Sequence, residues 1–233
     1  MSRIALSAAA TLCLSLGAAH AETLAGLAYA DAVRNSPEMA PVDAYKISGK
    51  ADLMALAARN HDGTVKAIVE IPAGTSAKWE ISKDDPHAVY WELKKGAPRI
   101  VDYLGYPGNY GAIPGTALPK ELGGDGDPLD VLVLGQAAPR GEVVDIRVIG
   151  ALKLLDDGEQ DDKLIAVMTK DSPFSEIKSL AELDQNFKGV TEIIATWFAN
   201  YKGANGGMET KGFVDAAEAN AILDTAIKSF AAK

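Results

Sequence analysis

From Thr64 to Met168 the chain is a succession of short β-rich runs, each stopped by turn residues. Thr64–Ile71, Ala77–Ser82, Ala88–Leu93 and Arg99–Leu104 are separated by Pro-Ala-Gly, Asp-Asp-Pro and Lys-Lys-Gly-Ala-Pro. A long Gly- and Pro-rich loop follows from Gly105 to Gly126, and Asp130–Leu134, Val143–Leu155 and Lys163–Met168 resume the pattern. Short strands at this spacing predict a closed or partly closed β-barrel. Two helices finish the chain. Val190, Ile193, Ile194, Trp197, Phe198 and Tyr201 share one face, with Gly203 as a stop signal. Asp215 and Glu218 form a capping box before a helix that buries Ile222, Leu223, Ala226, Ile227 and Phe230. The expected fold class is therefore mainly β with helices (α+β), an OB-like five-stranded barrel with packed C-terminal helices.

The segment before the barrel is weakly patterned. Short helices are expected near Ala28–Arg34 and Asp52–Arg59, flanking Pro37 and Pro41, and Asp62-Gly63 closes the stretch with a turn. Residues 22–62 are read as an extension packed on a main domain of residues 63–233. Residues 1–21 have a different character: Arg3, an uncharged stretch from Ile4 to Ala19, and Ala19-His20-Ala21. A basic start, a short apolar stretch and an A-x-A site describe a secretory signal peptide cut after Ala21. The stretch is shorter than the roughly 20 residues needed to span a bilayer. Cleavage would remove Cys13, the single cysteine, and leave a chain that folds without redox help in an oxidising compartment. The expected location is periplasmic or secreted, with no membrane partner after cleavage.

Charge narrows the choice of ligand. Acidic residues outnumber basic ones by 32 to 23, for a net −9. Such a field repels phosphate backbones and argues against nucleic acid as partner; an anionic ligand would need metal cations to mediate its contact. The acids are concentrated in two places. Asp125-Gly126-Asp127-Pro128-Leu129-Asp130 puts three carboxylates within six residues at a loop-to-strand junction, with Gly and Pro fixing the backbone between them. Such a cluster repels itself unless solvated or neutralised by divalent cations. It is not an EF-hand, because the positions that need Gly and Glu hold Asp130 and Gln136. A second cluster, Asp156-Asp157-Gly158-Glu159-Gln160-Asp161-Asp162-Lys163, again lies between apolar strands. Two acidic loops facing each other across a barrel could hold several oxygen-ligated ions. Carboxylates without Cys, and with only His61 and His87 left after cleavage, favour Mg²⁺ or Mn²⁺ over zinc. Lys78, Glu80, Tyr106, Tyr110, Lys163 and Tyr201-Lys202 complete the set, since lysine and tyrosine donate to phosphoryl oxygens. Taken singly, each of these is more commonly a surface charge or a phenol at the edge of a core.

These residues resemble the family I soluble inorganic pyrophosphatases, over about Val65 to Lys202. Asp125 to Asp130 is similar to that family's central aspartate motif. Ile68-Val69-Glu70-Ile71-Pro72 resembles its first active-site strand, Lys78-Trp79-Glu80 its Lys-aromatic-Glu segment, and Tyr106 to Gly111 its tyrosine loop. Asp156, Asp161 and Lys163 match the spacing of its second metal-binding loop, and Tyr201-Lys202 its late helix pair. Arg99 is the nearest counterpart of an arginine that the family places shortly before the tyrosine loop, one residue out of register.

The resemblance implies hydrolysis of diphosphate to two phosphates with several Mg²⁺ ions, Mn²⁺ being the alternative. It implies metal ligands at Asp125, Asp130, Asp156 and Asp161, with Glu70 and Glu80 orienting outer ions. It further implies Asp127 as the base and Lys78, Arg99, Tyr110, Lys163, Tyr201 and Lys202 as phosphate contacts, supported by Tyr106. It also implies a homo-oligomer, whose contacts the extension before Asp62 could cover or replace. Three other readings are weighed beside it. These are a metal-dependent phosphatase of organic diphosphates, a non-catalytic divalent-cation module of the envelope, and an OB-like nucleic-acid binder, which the acidic loops oppose.

Overall fold

The computed structural model describes residues 35–119 and 126–232. The expected signal peptide, the helix expected at 28–34 and Asp125 lie outside the described residues. The described chain opens with β1 (Met39–Asp43) and β2 (Lys46–Gly49), followed by β3 (Val65–Ile71), β4 (Trp79–Ile81) and β5 (Ala88–Trp91). A small hairpin, β6 (Leu93–Lys94) and β7 (Ala97–Pro98), precedes β8 (Asn109–Ala112) and β9 (Asp130–Leu134). Then come β10 (Val143–Asp156), β11 (Glu159–Gln160) and β12 (Lys163–Met168). Helices α1 (Leu180–Asn186) and α2 (Val190–Asn200), strand β13 (Met208–Asp215) and helix α3 (Ala216–Ala231) complete it.

Five strands close on themselves. β3 pairs β8, β8 pairs β9, β9 pairs β12 in parallel, β12 pairs β10, and the first residues of β10 return to β3 through Val143–Ile146. The strand β10 can serve two neighbours because it is 14 residues long and carries an irregularity between Val148 and Gly150. Its far half pairs β13, and its end pairs β11. This is the expected five-stranded closure, and it leaves no raw edge inside the barrel. Both faces of these strands are buried, which is why Val131–Leu134 and Leu164–Val167 are continuous apolar runs. One set of side chains, including Val131, Val133, Leu164 and Ala166, clusters with Leu223 and Ala226 of α3. The alternate set, including Leu132, Leu134, Ile165 and Val167, clusters with Ile194, Trp197 and Phe198 of α2. The α3 cap is the one expected: the Asp215 carboxylate accepts from the Glu218 amide at 3.0 Å.

Three local expectations are corrected. Asp52–Arg59 is not a helix: the Asp52 carboxylate caps the amides of Met54 and Ala55, and the segment's other backbone bonds go to neighbours, Leu53 N–H to Pro86 and Lys66 N–H to the Ala58 carbonyl. Arg99–Leu104 is no strand beyond a bridge of Ile100 to Ala77, since the chain bends away to present the Leu104 carbonyl to Trp197. The stretch from Gly105 to Gly126 is not loop throughout, for it contains β8. Residues 39–49 also form a hairpin that adds to β5 and β4 as a four-stranded sheet, so this part of the extension is strand.

Candidate functional site

Strand β3 delivers Glu70 to the interior at an irregularity in its pairing with β8, and the Glu70 carbonyl accepts from the Arg140 guanidinium at 3.0 Å. The Glu70 side chain accepts from the Ile81 amide at 2.7 Å, and burial pushes its carboxyl up to about 8 while that bond pulls the other way. β8 lies so close to β3 at Gly111 that a Cβ there would stand 1.8 Å from the Ile68 carbonyl oxygen; only glycine permits the contact that seats Tyr110. Just before and within β4, Lys78 pairs with Glu80 and stands 3.4 Å from Glu92. Burial alone would depress the Lys78 ammonium, but the Glu80 carboxylate and its acidic neighbours outweigh it and raise it.

Opposite, Asp130 opens β9 and Lys163 opens β12, strands in parallel register, so the two side chains meet. The Lys163 ammonium is buried, pairs with Asp130, and lies 2.5 Å from Asp161 Oδ1. Burial opposes its charge, and the two aspartates overcome that cost. Asp161 itself is pushed up by burial, with Lys163 pulling the other way. Asp156, at the end of β10, pairs with Lys202 and has a buried Oδ1 with no hydrogen-bond partner. The β10–β11 turn is the two-residue type that needs positive φ at both positions, 50° at Asp157 and 88° at Gly158.

These elements enclose a cavity of about 640 Å³. Of the expected site residues, Glu70, Lys78, Glu80, Tyr110, Asp127, Asp130, Asp156 and Asp161 line it. Asp127 sits 2.7 Å from Lys83, a pair in which both side chains are largely exposed. Lys163, Lys202, Tyr106, Tyr201 and Arg99 do not line the cavity. Lys163 and Lys202 reach it through the aspartates they hold. Arg99 donates to both oxygens of Glu92 at 2.8 Å, which ties it to the cavity-lining Lys78 through the Glu92–Lys78 contact. Tyr106 and Tyr110 have rings 5.0 Å apart and phenols raised well above their ordinary value by burial; Tyr201 is pushed up to about 12, again mainly by burial. All three therefore remain hydroxyl donors at neutral pH.

Three charged lining residues were not singled out from sequence. Glu159 belongs to the second acidic cluster and was legible there. Asp162, 4% exposed, accepts from the Leu154 amide at 3.1 Å and from Gln160, and pairs with Lys153, so it ties the hairpin together. Lys83 is a turn lysine whose sequence carries no signal.

Among the described residues no three acidic, histidine or cysteine side chains converge on one point; lysines stand between the carboxylates. The donors nonetheless suit a hard divalent cation. They are all oxygen, they line one cavity, and Asp156 keeps a buried acceptor without a partner.

The family model described as inorganic pyrophosphatase matches residues 67–231. The chain is 36% identical over 166 residues to an inorganic pyrophosphatase of Drosophila melanogaster, a stretch covering 65% of this chain and 49% of that one. It is 36% identical over 157 residues to one of Mus musculus, covering 62% and 54%. The chain thus spans about half the length of these curated relatives. The type I inorganic pyrophosphatase of Toxoplasma gondii superposes with a TM-score of 0.71 at 28% identity, over 85% of this chain and 96% of that one. The inorganic pyrophosphatase of Thermus thermophilus gives 0.65 at 29% identity, over 77% and 99%.

Proposed function

The chain belongs to the inorganic pyrophosphatase family, and from that premise we propose that it hydrolyses inorganic diphosphate to two phosphates in a Mg²⁺-dependent reaction. The observation that carries this reading is the convergence of Glu70, Lys78, Glu80, Tyr110, Asp127, Asp130, Asp156 and Asp161 on one cavity from five separate stretches of chain. Asp130, Asp156 and Asp161, with Glu70 and Glu80 on the same cavity, would hold cations that offset the substrate's charge and bring a water's pKa toward neutrality, and the sequence motif adds Asp125 as a further ligand. The rest is the work of the chain. Asp127 takes a proton from the attacking water as its oxygen bonds to phosphorus and the bridging P–O bond breaks. Lys78 and Tyr110 face the cavity and donate to phosphate oxygens, neutralising the charge that grows on the leaving group. Lys163 and Lys202 act from behind by fixing the aspartates they pair with, and the Tyr201 phenol, within electrostatic reach of the charges around the cavity, donates to a phosphate oxygen of the bound substrate. Arg99, whose fork can bind two phosphate oxygens, would have to exchange Glu92 for the substrate.

Asp127→Asn is expected to fold normally and lose roughly 100-fold or more in turnover, the scale of general-base catalysis. Asp130→Ala is expected instead to raise the Mg²⁺ concentration needed for activity. Normal turnover by Asp127→Asn at neutral pH would remove Asp127 as the base. We propose further that the chain is exported. The support is the Arg3, apolar stretch and Ala19-His20-Ala21 series, and N-terminal sequencing of the exported product should begin at Glu22. An intact Met1 on a soluble cytoplasmic product would contradict it.

A further inference from the structure

Tyr201 ends α2 without lining the cavity, so something behind it must decide where its hydroxyl points. One turn earlier, the indole of Trp197 lies 4.7 Å from the Tyr201 ring and 8° from parallel to it, the most nearly parallel ring pair among the described residues. The same indole is itself pinned from the opposite side of the molecule's sequence. Its Nε1–H donates to the Leu104 carbonyl at 3.0 Å, and the Tyr106 ring packs 4.4 Å away. Phe198 meets it edge-on at 5.1 Å. Trp197 is 3% exposed, and a core position of that kind asks only for apolar volume, which Leu or Phe supplies. A flat ring laid parallel to a phenol, with its one polar atom anchored to a distant loop, does more. It bars the phenol from swinging toward the indole, and because a tyrosine's hydroxyl oxygen lies on the Cβ–Cγ axis, it is χ1 and not the turn of the ring that sets where the hydroxyl lies. The Tyr201 phenol stands within electrostatic reach of Lys163, Asp161, Lys78 and Asp156, the charges around the cavity.

We propose that Trp197 is a positioning residue for diphosphate hydrolysis, holding the Tyr201 hydroxyl where it meets a phosphate oxygen. This rests on the diphosphatase reading above. Replacing the indole with a side chain that cannot stack lets the phenol tilt. A displacement well under an ångström at a phosphate contact is enough to lower kcat/KM by roughly tenfold or more.

The test is a double-mutant cycle on Mg²⁺-supported diphosphate hydrolysis, with Trp197→Leu made in the wild-type and Tyr201→Phe backgrounds and melting temperatures recorded for each protein. The expected result is a loss of about tenfold in kcat/KM in the wild-type background, and less than about twofold where Tyr201 has no hydroxyl left to position. Trp197→Phe keeps a ring against Tyr201 but loses the bond to Leu104, so it should recover most of the activity while melting below wild type. Should Trp197→Leu fail to fold, Trp197→Met, whose flexible side chain fills irregular gaps, takes its place in the cycle. Equal fold-losses in the two backgrounds would mean that Trp197 only supports the core and would overturn the proposal. An active wild type with that outcome leaves the diphosphatase reading standing, whereas a wild type that releases no phosphate from diphosphate overturns both.

Discussion

The hairpin from Asp156 to Lys163 and the run from Gly126 to Asp130 bring acids to the same cavity by different means. In the hairpin the charges are tied down from inside. Asp162 is almost wholly buried among three donors, Asp161 shares the buried Lys163 with Asp130, and the Asp157 amide is bonded to the Gly207 carbonyl at 3.0 Å. In the 126–130 run it is the backbone that is tied. The Leu118 amide donates to the Asp127 carbonyl and the Thr116 hydroxyl oxygen accepts from the Leu129 amide, both at 2.9 Å, while the Asp127 carboxylate stays 43% exposed beside a more exposed lysine. The division suits the two tasks proposed for these segments. Ligands benefit from a fixed geometry that survives without the ion, and a base benefits from access to water and a counter-charge that can be given up cheaply.

That contrast can be broken most severely at Lys163. Lys163→Met leaves Asp130 and Asp161 facing each other without their shared cation, and breaking a buried pair from one side costs about 3–5 kcal/mol. Thermal melts without divalent ions should show a large fall, and Mg²⁺ should restore more stability to the variant than it adds to wild type. A variant as stable as wild type in EDTA would show that the hairpin's charges do not depend on Lys163.

Glu70 offers a second test, from the strand wall of the cavity. Its carboxyl is raised from 4.5 to about 8, so between those values the folded protein keeps a proton that the unfolded chain has released. Stability from this group is therefore greatest below about pH 4.5 and is lost as pH rises toward 8, by up to about 1.4 kcal/mol per pH unit inside the window. Urea unfolding of the metal-free protein at pH 5.5 and 7.5 should show this fall, and Glu70→Gln should flatten it. A wild-type profile that matches Glu70→Gln would place the titration elsewhere. The smallest effect belongs to Lys83. Its removal as Lys83→Ala should change stability by less than about 1 kcal/mol, as for other exposed pairs. A loss in the range expected for Lys163 would erase the distinction between the two segments.

The same contrast governs how much could be read before the structure. Four of the five barrel strands were legible, β9 and β12 most plainly because burial on both faces makes uninterrupted apolar runs such as Val131–Leu134, whereas β8, Asn109-Tyr110-Gly111-Ala112, fell inside the stretch read as loop. β13 was not legible either, since its side chains alternate with solvent and it contains Lys211 and Gly212; it is a strand because β10 offers it a partner. Helix α1 was missed despite its signal, Ser179 three residues before Glu182, whose amide the serine side chain caps at 3.1 Å. At the site, the positions of Asp130, Asp156 and Asp161 followed from strand ends and turn residues. Neighbouring acids were harder: nothing in Asp161-Asp162 says that one faces Lys163 and the next turns inward to Lys153, because that depends on three-dimensional partners. Arg99 was readable as a cation near the site, but its bidentate hold on Glu92 was not.

The central claim is that this cavity and its two acidic segments hydrolyse inorganic diphosphate, and the most direct test is phosphate release by the purified protein. Diphosphate and a nucleoside diphosphate should be offered side by side, each with Mg²⁺ and with EDTA. The expected result is rapid release from diphosphate that requires Mg²⁺, with little from the nucleotide. No release from diphosphate with Mg²⁺ present, or release that persists unchanged in EDTA, would contradict the account.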